Sequence, residues 1–527
     1  MRLPLRQPSD MLVRLFYRPW IVLVVALIVH TALFMAMQRD LPVTDPMWYA
    51  GKAYQLAYHP SQLFAAHDNY PFVMRLGLTG PLAVIYRLFG VSTFTTNLPA
   101  LLAGLAILAI AFAAPSTPRG KLLAVGFAML CTPLIVDGRE LTPDLPCAAA
   151  MAASLVCLSR RDRRRGAWWV VAAVLAWFAA FQIKEVAVWC TPVWLYAALV
   201  DLRAHGGRWV TQRFGPAIAV GAVLAAGYLA LCAALWGDPL ARLHGIDDAV
   251  PTHEWSLVGR PASEWLARLT WEPPVKLFRM YRVALALVVA SPWLVARRDR
   301  LWIVAAAACV AFYWFGSSTA GSYLPLPIWR RMLLPALPAI VVVAAMASDA
   351  AIERIRGRRG ARWAAAGAVV FTLALVVPHI HAVARTIAES GQPERAAYAA
   401  LRAELASTSE PIVLVCGEPR CLPATGFYFG FEPPARLIVV DAPEFAAMPL
   451  PPHARVRLIA QLVRAGGVAR DVADRAEALG LRRIVWHPEL RLYDAGDGAQ
   501  LRDALARPPL PARSDRAMTA PRPDTPR

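Results

Sequence analysis

Acidic side chains stand beside several long apolar segments of this 527-residue sequence, where a charge is costly unless it reaches water or takes part in a reaction. The first is Asp45, which is followed by Pro46 and a short apolar segment. An aspartate before a proline is a common helix start, so Asp45 is expected to cap a helix. A carboxylate in this position can also act as a general base, and the two roles are compatible.

The densest charges fall in the segment 137–146, which reads DGRELTPDLP. Three acids and an arginine lie within eight positions, which is more than a turn between two membrane helices requires. One interpretation is structural, with Thr142 or Asp144 starting the next helix and Arg139 paired to a neighbouring acid. We favour a functional role, with Asp144 and Glu140 as candidate catalytic acids and Arg139 as a candidate substrate-binding cation.

Two pairs of charged residues supply further candidate substrate-binding groups. Lys184 and Glu185 interrupt an apolar run between 168 and 199. A lysine at a helix end often extends to the lipid–water interface, so a structural role and a binding role both remain open. Arg330 and Arg331 adjoin another apolar segment, where a guanidinium needs an anionic partner such as a lipid phosphate or a carboxylate.

The elements that must position these residues are membrane helices. Hydrophobic residues make up 57% of the chain and charged residues 17%, and the mean hydropathy is +0.44. Apolar runs of about 20 residues, the length that crosses a bilayer, recur between 20 and 378. We therefore predict an all-α polytopic bundle of about eleven transmembrane helices, at 20–37, 98–114, 121–136, 144–159, 167–183, 186–200, 214–236, 281–296, 301–316, 331–347 and 363–378.

The formal net charge of +19 is concentrated in alternate loops between the apolar runs. These basic loops fall on one side of the predicted bundle, as the positive-inside rule expects of cytoplasmic loops, and this distribution argues against a nucleic-acid partner. The N-terminal residues 1–19 are then cytoplasmic, and all the candidate site residues lie on the outer face. Apolar segments at 47–58 and 80–89 are predicted to lie at the outer membrane surface, although one of them could be a further span.

The pattern changes after Pro378. A helical stretch at 394–406 and apolar strands at 411–415, 437–440 and 483–486 predict a small α/β domain over 379–506. Cys416 and Cys421 within it could form a disulfide in an oxidising compartment. The Pro- and Arg-rich tail 507–527 is predicted to be disordered.

Five segments, taken in order, resemble the GT-C membrane glycosyltransferases, in particular the branch of protein O-mannosyltransferases and lipid A aminoarabinose transferases. The segment 45–50, DPMWYA, resembles the family's acid pair followed by Tyr-Ala, and 88–92, LFGVS, resembles its Leu-Phe-Gly-x-Ser. The turn 139–146 is similar to its Arg-x-x-x-Pro-Asp-x-Pro, Lys184 to a lysine that ends a helix, and 331–338 to its Arg-Tyr-x-x-Pro-x-x-Pro. The resemblance covers residues 20–346. It departs from the family where Pro46 replaces a second acid and Met332 replaces a tyrosine.

The resemblance implies a glycosyltransferase that moves a sugar, hexosyl or pentosyl, from a polyprenyl-phosphate carrier to a lipid, glycan or protein acceptor. It places the reaction on the outer face of a bacterial inner membrane, in a multi-pass protein whose C-terminal domain is periplasmic. Asp45 would be the general base, and Lys184, Arg139, Arg330 or Arg331 would stabilise the leaving phosphate. No cofactor is implied. Divalent metal use varies across this superfamily, and no close acid cluster in the sequence indicates a metal site.

A transporter or flippase of lipid-linked saccharides is the alternative function. Such a protein should carry charges midway along its helices, and it often shows repeated halves with broken helices. The charges of this sequence fall instead in outer turns, and no internal repeat is visible. The sequence therefore favours the enzyme.

Overall fold

The computed structural model of the chain describes residues 18–41, 45–61, 73–250, 256–296, 299–355, 361–388, 390, 393–417, 421–461, 467–487 and 490–506. Contacts within the chain define two compact units. The first comprises 1–38, 52–90 and 94–390, and the second comprises 39–51, 91–93 and 391–527. The predicted disordered tail 507–527 lies outside the described residues, as does nearly all of the predicted cytoplasmic N-terminus.

Helices account for the chain as far as residue 388. In order they are α1 (Pro19–Ala36), α2 (Asp45–Tyr58), α3 (Leu76–Phe89), α4 (Thr93–Ala113), α5 (Pro118–Met129), α6 (Thr132–Val136), α7 (Asp144–Leu158), α8 (Gly166–Ile183) and α9 (Thr191–His205). They continue with α10 (Gly207–Trp236), α11 (Ala241–Ala249), α12 (Ala262–Leu269), α13 (Glu272–Tyr281), α14 (Val283–Leu294), α15 (Arg300–Phe315), α16 (Leu337–Ile355) and α17 (Ala361–Ala388). Short 3₁₀-helices occupy Asp137–Arg139, Glu185–Cys190 and Arg331–Ala336.

Six helical segments of the described residues are long and apolar enough to cross a membrane. They are α1, α4, α8, α10, the segment Glu185–His205 that contains α9, and the segment Arg331–Ile355 that contains α16. Two pairs, α5 with α6 and α13 with α14, reach that length and hydropathy only when taken together, and they are bent by 57° and 96°, as in a broken span or a re-entrant loop. Each predicted span overlaps a helix, and the total of eleven crossings stays a prediction.

Burial separates the central helix of the first unit from its peripheral ones. In the segment that contains α16, 78% of the most apolar window is buried within the protein. The same fraction is 6% for α10 and 17% for α1. A helix that is apolar all round is stable only inside protein or in lipid, so α16 forms the centre while α1 and α10 present lipid-facing surfaces.

Helices α2 and α3 confirm the two helices predicted in the first outer loop. The Tyr58 hydroxyl donates to the Tyr86 carbonyl oxygen over 3.0 Å, and Arg87 Nε donates to the Ala57 carbonyl oxygen over 2.6 Å. The buried Tyr86 hydroxyl lies 2.7 Å from the hydroxyl of Thr96. These bonds fasten α3 to the end of α2 and to the start of α4. Their place at the membrane surface stays a prediction.

The second unit contains a five-stranded sheet with the strand order β2-β1-β3-β5-β4. Its elements are α18 (Pro393–Ser407), β1 (Ile412–Cys416), α19 (Cys421–Tyr428), β2 (Leu437–Asp441), α20 (Ala442–Ala447), β3 (Arg455–Gln461), α21 (Gly467–Ala478), β4 (Arg482–His487), β5 (Leu490–Asp494) and α22 (Ala499–Ala506). Strands β2, β1 and β3 are parallel, and β5 is antiparallel to β3 and β4. The predicted α/β character is confirmed, whereas β3 and β5 were not predicted.

A buried apolar core holds this sheet together. Val413, Val456 and Leu458 pack with Phe445 and Tyr493, and all five are at most 1% exposed. The disulfide that the sequence left open is present between Cys416 and Cys421, and it joins the end of β1 to the start of α19.

Candidate active site

The turn 137–144, which is predicted to lie on the outer face, is a folded segment between α6 and α7. A 3₁₀-helix occupies Asp137–Arg139, and α7 begins at Asp144, which agrees with the predicted helix start. The backbone N–H of Leu141 donates to the side-chain oxygen of Asn97 over 2.9 Å. The turn is thereby fixed to α4.

Arg139 is buried inside this turn. Its Nη1 donates to the carbonyl oxygen of Met37 over 3.4 Å, and its Nε lies 3.5 Å from Oε1 of Glu140. The structure therefore contains the pairing of Arg139 with a neighbouring acid that the structural interpretation expected. The same guanidinium also connects the turn to the end of α1.

Lys184 pairs with Asp144 inside the bundle. Helix α8 ends at Ile183, and Lys184 itself is extended, with φ −153° and ψ 135°. Its Nζ lies 2.5 Å from Asp144 Oδ1, and the two residues are 7% and 1% exposed. Breaking a buried pair of this kind leaves an uncompensated charge, which is strongly destabilising.

Glu185, the next residue, contacts two arginines. Its Oε1 lies 2.6 Å from Nη2 of Arg75, and its Oε2 lies 3.0 Å from Nη2 of Arg242. Arg75 directly precedes α3, and Arg242 lies in the first turn of α11. Together with the Asp144–Lys184 pair these three residues form a group of five charges, which we call the outer ion cluster.

The outer ion cluster has an excess of one positive charge, because it contains three cations and two carboxylates. The N–H groups of the cluster that have no acceptor among the described residues belong to Arg242. The side chain is 4% exposed, and its guanidinium carbon lies 4.7 Å from the centre of the Phe181 ring. Within the described part of the chain, its Nε and Nη1 have no hydrogen-bond partner. Buried guanidinium N–H groups normally find acceptors, so an anionic ligand fits here.

A tyrosine hydroxyl lies near Arg242. The ring of Tyr228 meets the edge of Phe181 with 5.7 Å between ring centres, and Phe181 in turn lies under Arg242. The Tyr228 hydroxyl is buried, and Arg242 and Cys232 are its polar neighbours. One ligand bound at the Arg242 N–H groups would therefore also meet this hydroxyl.

Arg330 and Arg331 have different neighbours from these. Arg330 Nε lies 2.5 Å from Asp137 Oδ2, so the anionic partner expected for this guanidinium is a carboxylate of the outer turn. The Arg331 guanidinium lies over the ring of Trp329, 5.7 Å from its centre. Arg330 thus contacts the turn 137–144, and Arg331 contacts an aromatic ring.

A cleft of about 390 Å³ lies beside Arg330. Its lining includes the cations Lys276, Arg279 and Arg330 and the apolar residues Met280, Ile328 and Leu333. Lys276 is itself paired with Glu272 of α13. An apolar wall with a few placed cations is the form of site that takes an amphiphile with an acidic head group.

Asp45 belongs to the second unit. Helix α2 begins at Asp45 with Pro46 at its second position, which agrees with the predicted helix start. The carboxyl side chain is half-buried, and Met47 and Tyr49, which follow it, are fully buried. The role of Asp45 as a general base stays a prediction.

Sequence reasoning missed Arg75, Arg242 and Asn97. Both arginines lie in loops that are predicted to be outside, where the positive-inside rule expects few cations. A search of those loops for Lys and Arg would have included them. Asn97 carries no comparable signal, because it is one polar residue at the start of an apolar run. No group of three or more His, Cys, Asp or Glu side chains in the described ranges is arranged to hold a metal ion.

Two crystal structures of ArnT from Cupriavidus metallidurans are similar to this chain. The structure bound to undecaprenyl phosphate matches with a TM-score of 0.54 at 16% sequence identity, over 91% of this chain and 98% of that chain. The apo structure matches with a TM-score of 0.53 at 16% identity, over 93% and 99%. Because nearly all of each chain is covered, the likeness extends over the whole fold.

No protein-family model matches the sequence, and no curated protein matches it. ArnT is a lipid A aminoarabinose transferase and a GT-C glycosyltransferase, and at 16% identity its likeness to this chain concerns the fold. The predicted fold class, a helical membrane bundle with a small α/β C-terminal domain, is confirmed. The chain is a helical membrane protein with the fold of ArnT.

Proposed function

We propose that this protein is a membrane glycosyltransferase that uses a polyprenyl-phosphate-linked sugar and acts on the outer face of a bacterial inner membrane. The acceptor is a lipid, a glycan or a protein, and the sugar is a hexose or a pentose. The fold supports the proposal, and one of the two similar ArnT structures contains undecaprenyl phosphate. The observation that carries it is the pair of unpartnered, buried N–H groups of Arg242 beside Glu185.

The outer ion cluster would stabilise the phosphate leaving group. When the acceptor attacks the anomeric carbon, the bond to the phosphate oxygen breaks and its electron pair moves onto the departing polyprenyl phosphate. Arg242 Nε and Nη1 would donate to that phosphate, with the Tyr228 hydroxyl as a further donor. The Asp144–Lys184 pair would hold the adjacent Glu185 in place, and Glu185, which contacts both Arg75 and Arg242, would in turn hold Arg242.

Asp45 would take the proton that the acceptor hydroxyl or amine loses. Glu140 and Asp144 are the candidates that would replace it. Asp144 already accepts from Lys184 at 2.5 Å, so a role as base would require that pair to open. Glu140 also lies beside a cation, with its Oε1 3.5 Å from Nε of Arg139.

The polyprenyl chain would enter through the cleft beside Arg330. Its apolar wall of Met280, Ile328 and Leu333 matches a hydrocarbon chain, while Lys276 and Arg279 match an acidic head group in transit. Arg331, next to this cleft in the sequence, would assist donor binding as the sequence resemblance implies.

The disulfide of the second unit supports a periplasmic C-terminal domain. Disulfides form and persist in oxidising compartments, and Cys416–Cys421 lies in the domain predicted to be outside. Enrichment of Lys and Arg in alternate loops predicts the same sidedness.

The test is binding of undecaprenyl phosphate to the purified protein in detergent, compared with undecaprenol, which has the same chain and no phosphate. The parent should prefer the phosphate, and Arg242→Gln should lose most of that preference. Two charge-assisted hydrogen bonds are worth about 1.5–3 kcal/mol each, so the loss should reach about 10²-fold or more. Arg161→Gln is the matched control, because the partly buried Arg161 is also ion-paired, with the buried Asp201, in a predicted cytoplasmic region. Equal affinity of the parent for both lipids would refute the proposal.

A flippase of lipid-linked saccharides is the second candidate, and the two bent spans favour it, since transporters often use broken helices. The two functions differ in their product. In vesicles that contain the protein and the native membrane lipids, a transferase yields free polyprenyl phosphate, whereas a flippase moves the intact lipid-linked sugar across the bilayer.

A further inference from the structure

The segment 39–51, which carries Asp45, is part of the same compact unit as the C-terminal domain. At the start of this segment Asp40 accepts three hydrogen bonds from that domain. Its Oδ2 accepts the backbone N–H of Glu394 over 2.6 Å, and its Oδ1 accepts the backbone N–H of Arg395 over 3.2 Å and the Tyr428 hydroxyl over 2.8 Å.

Asp40 thereby acts as the N-terminal cap of α18 from more than 350 positions away in sequence. Helix α18 begins with Pro393, so the N–H groups of Glu394 and Arg395 are the first ones that need an acceptor. Caps are ordinarily supplied by the residue just before the helix. A cap supplied from the first outer loop ties that loop to the C-terminal domain.

The third donor is held rigidly. The Tyr428 ring stacks on the Tyr398 ring of α18 at 4.8 Å, and the Tyr398 hydroxyl lies 2.9 Å from the hydroxyl of Thr425 in α19. Burial raises the pKa of the Asp40 carboxyl above its usual range, although its three hydrogen bonds oppose the shift. Burial therefore makes the ionised Asp40 carboxylate less favourable in the folded protein. The residue is better explained by a role in holding the loop in position than by a contribution to stability.

The far end of the segment is also in contact with the domain. A Cβ atom on Gly51 would meet the Phe431 ring at 3.5 Å, so the backbone of α2 passes directly beside that ring. Phe431 sits in a tight turn after α19, with φ 64° and its N–H donating to Gly426 over 2.6 Å. The segment is thus attached at Asp40 and at Gly51, and Asp45 lies between the two attachments.

We propose that Asp40 is a positioning residue for Asp45, and that the C-terminal domain serves to hold the first outer loop so that the Asp45 carboxylate has a fixed place. This inference rests on the proposed role of Asp45 as the base. Displacement of a catalytic group by about 1 Å can reduce a rate by about 10²-fold, so loss of the attachment should lower kcat without changing the KM for the donor.

The test compares Asp40→Asn with Asp441→Asn in the full-length protein. Asp441 caps α20 of the same domain by accepting the Glu444 N–H over 2.8 Å, so it is a matched cap within that domain. Hydrogen exchange of the backbone amides at 45–51 should become about tenfold faster in Asp40→Asn and stay unchanged in Asp441→Asn. In native membrane vesicles, release of polyprenyl phosphate from the endogenous lipid-linked sugars should fall about 10²-fold only in Asp40→Asn.

Unchanged exchange at 45–51 in Asp40→Asn would overturn the proposal whatever the transfer rate. An equal loss of transfer in both variants would also overturn it, because lost domain stability would then explain the effect. Asp40→Glu, which restores the charge, should recover part of the rate. Parental transfer by Asp45→Asn would instead remove Asp45 from the proposed reaction, while the exchange measurement would still decide whether Asp40 holds the segment.

Discussion

Removal of one charge of the Asp144–Lys184 pair should lower the free energy of unfolding by more than the intact pair contributes to it. Lys184→Met keeps the aliphatic length of the side chain and removes its charge. Asp144→Asn keeps the shape of the carboxylate and removes its charge. Asp144 is 1% exposed and Lys184 7%, so neither remaining partner can turn to water for solvation.

The magnitude follows from this burial. Loss of one member of a buried ion pair costs about 3–5 kcal/mol, because the other charge stays buried without a counter-charge. The Lys184→Met/Asp144→Asn double variant leaves no such charge. Its loss should be smaller than the sum of the two single losses, with a coupling energy of about 0.5–3 kcal/mol.

The assay is reversible unfolding in mixtures of mild detergent and SDS, with helix content measured by circular dichroism, for the parent, both single variants and the double variant. The Arg161–Asp201 pair provides the comparison, since it is bidentate at 2.7 and 3.0 Å and Asp201 is 2% exposed. Breaking that pair should also cost stability but leave undecaprenyl phosphate binding intact, whereas Lys184→Met should impair both. If the losses in free energy of unfolding from Asp144→Asn and Lys184→Met were strictly additive in the double variant, the two side chains would not interact. The Asp144–Lys184 pair would then not belong to the outer ion cluster.

Further outcomes are expected from single changes. Asp45→Asn should lower sugar transfer by a factor of roughly 10² to 10⁴ with little change in stability, and a parental rate would leave Asp45 as a helix start only. Arg331→Ala should weaken the use of the polyprenyl-phosphate donor, which a titration with undecaprenyl phosphate would measure, and undiminished binding would remove Arg331 from the site. Reporter fusions at Arg358 and Gly417 should report cytoplasm and periplasm respectively, and a cytoplasmic signal at Gly417 would reverse the proposed sidedness. The stability of the parent relative to Asp40→Asn should be greatest in acid and should decline as pH rises through the raised pKa of the Asp40 carboxyl, which thermal unfolding across acid pH would detect.

The membrane helices were predictable because lipid leaves the backbone few alternatives. An apolar run of span length must satisfy its hydrogen bonds internally, so hydropathy alone locates both ends of α1 and α8, and the C-terminal ends of α4 and α10, to within one residue. The helices α4 and α10 begin five and seven residues earlier than predicted, because their first residues are less apolar. Helix starts at Asp45 and Asp144 were predictable for a similar local reason, since a proline or an acid at the first positions favours them.

The missed strands and the missed partners have a common physical cause, which is that their stability comes from distant residues. Strand β3 contains Arg457, a poor strand residue by its charge, yet Arg457 is 5% exposed. Its Nε donates to Glu404 over 2.8 Å and its Nη1 to Asp494 over 2.5 Å, across 53 and 37 positions of sequence. No local pattern reveals such pairs. The same holds for Glu185, whose partners Arg75 and Arg242 are 110 and 57 positions away.

The break in the chain at Lys184 explains how two adjacent opposite charges can serve one site. In a continuous α-helix, Lys184 and Glu185 would be separated by only about 100° around the helix axis and one residue along it, so their partners would have to lie close together. Because α8 ends at Ile183 and Lys184 is extended, the lysine reaches Asp144 of α7 while the glutamate turns to Arg75 and Arg242. Lys184 and Asp144 are then neutral as a pair, and the surplus charge falls on the Arg75–Glu185–Arg242 group, where only Arg242 has unpartnered donors within the described residues of that group. A single phosphate bound at Arg242 would balance the charge of the whole cluster, and its departure would restore the imbalance that favours the next donor.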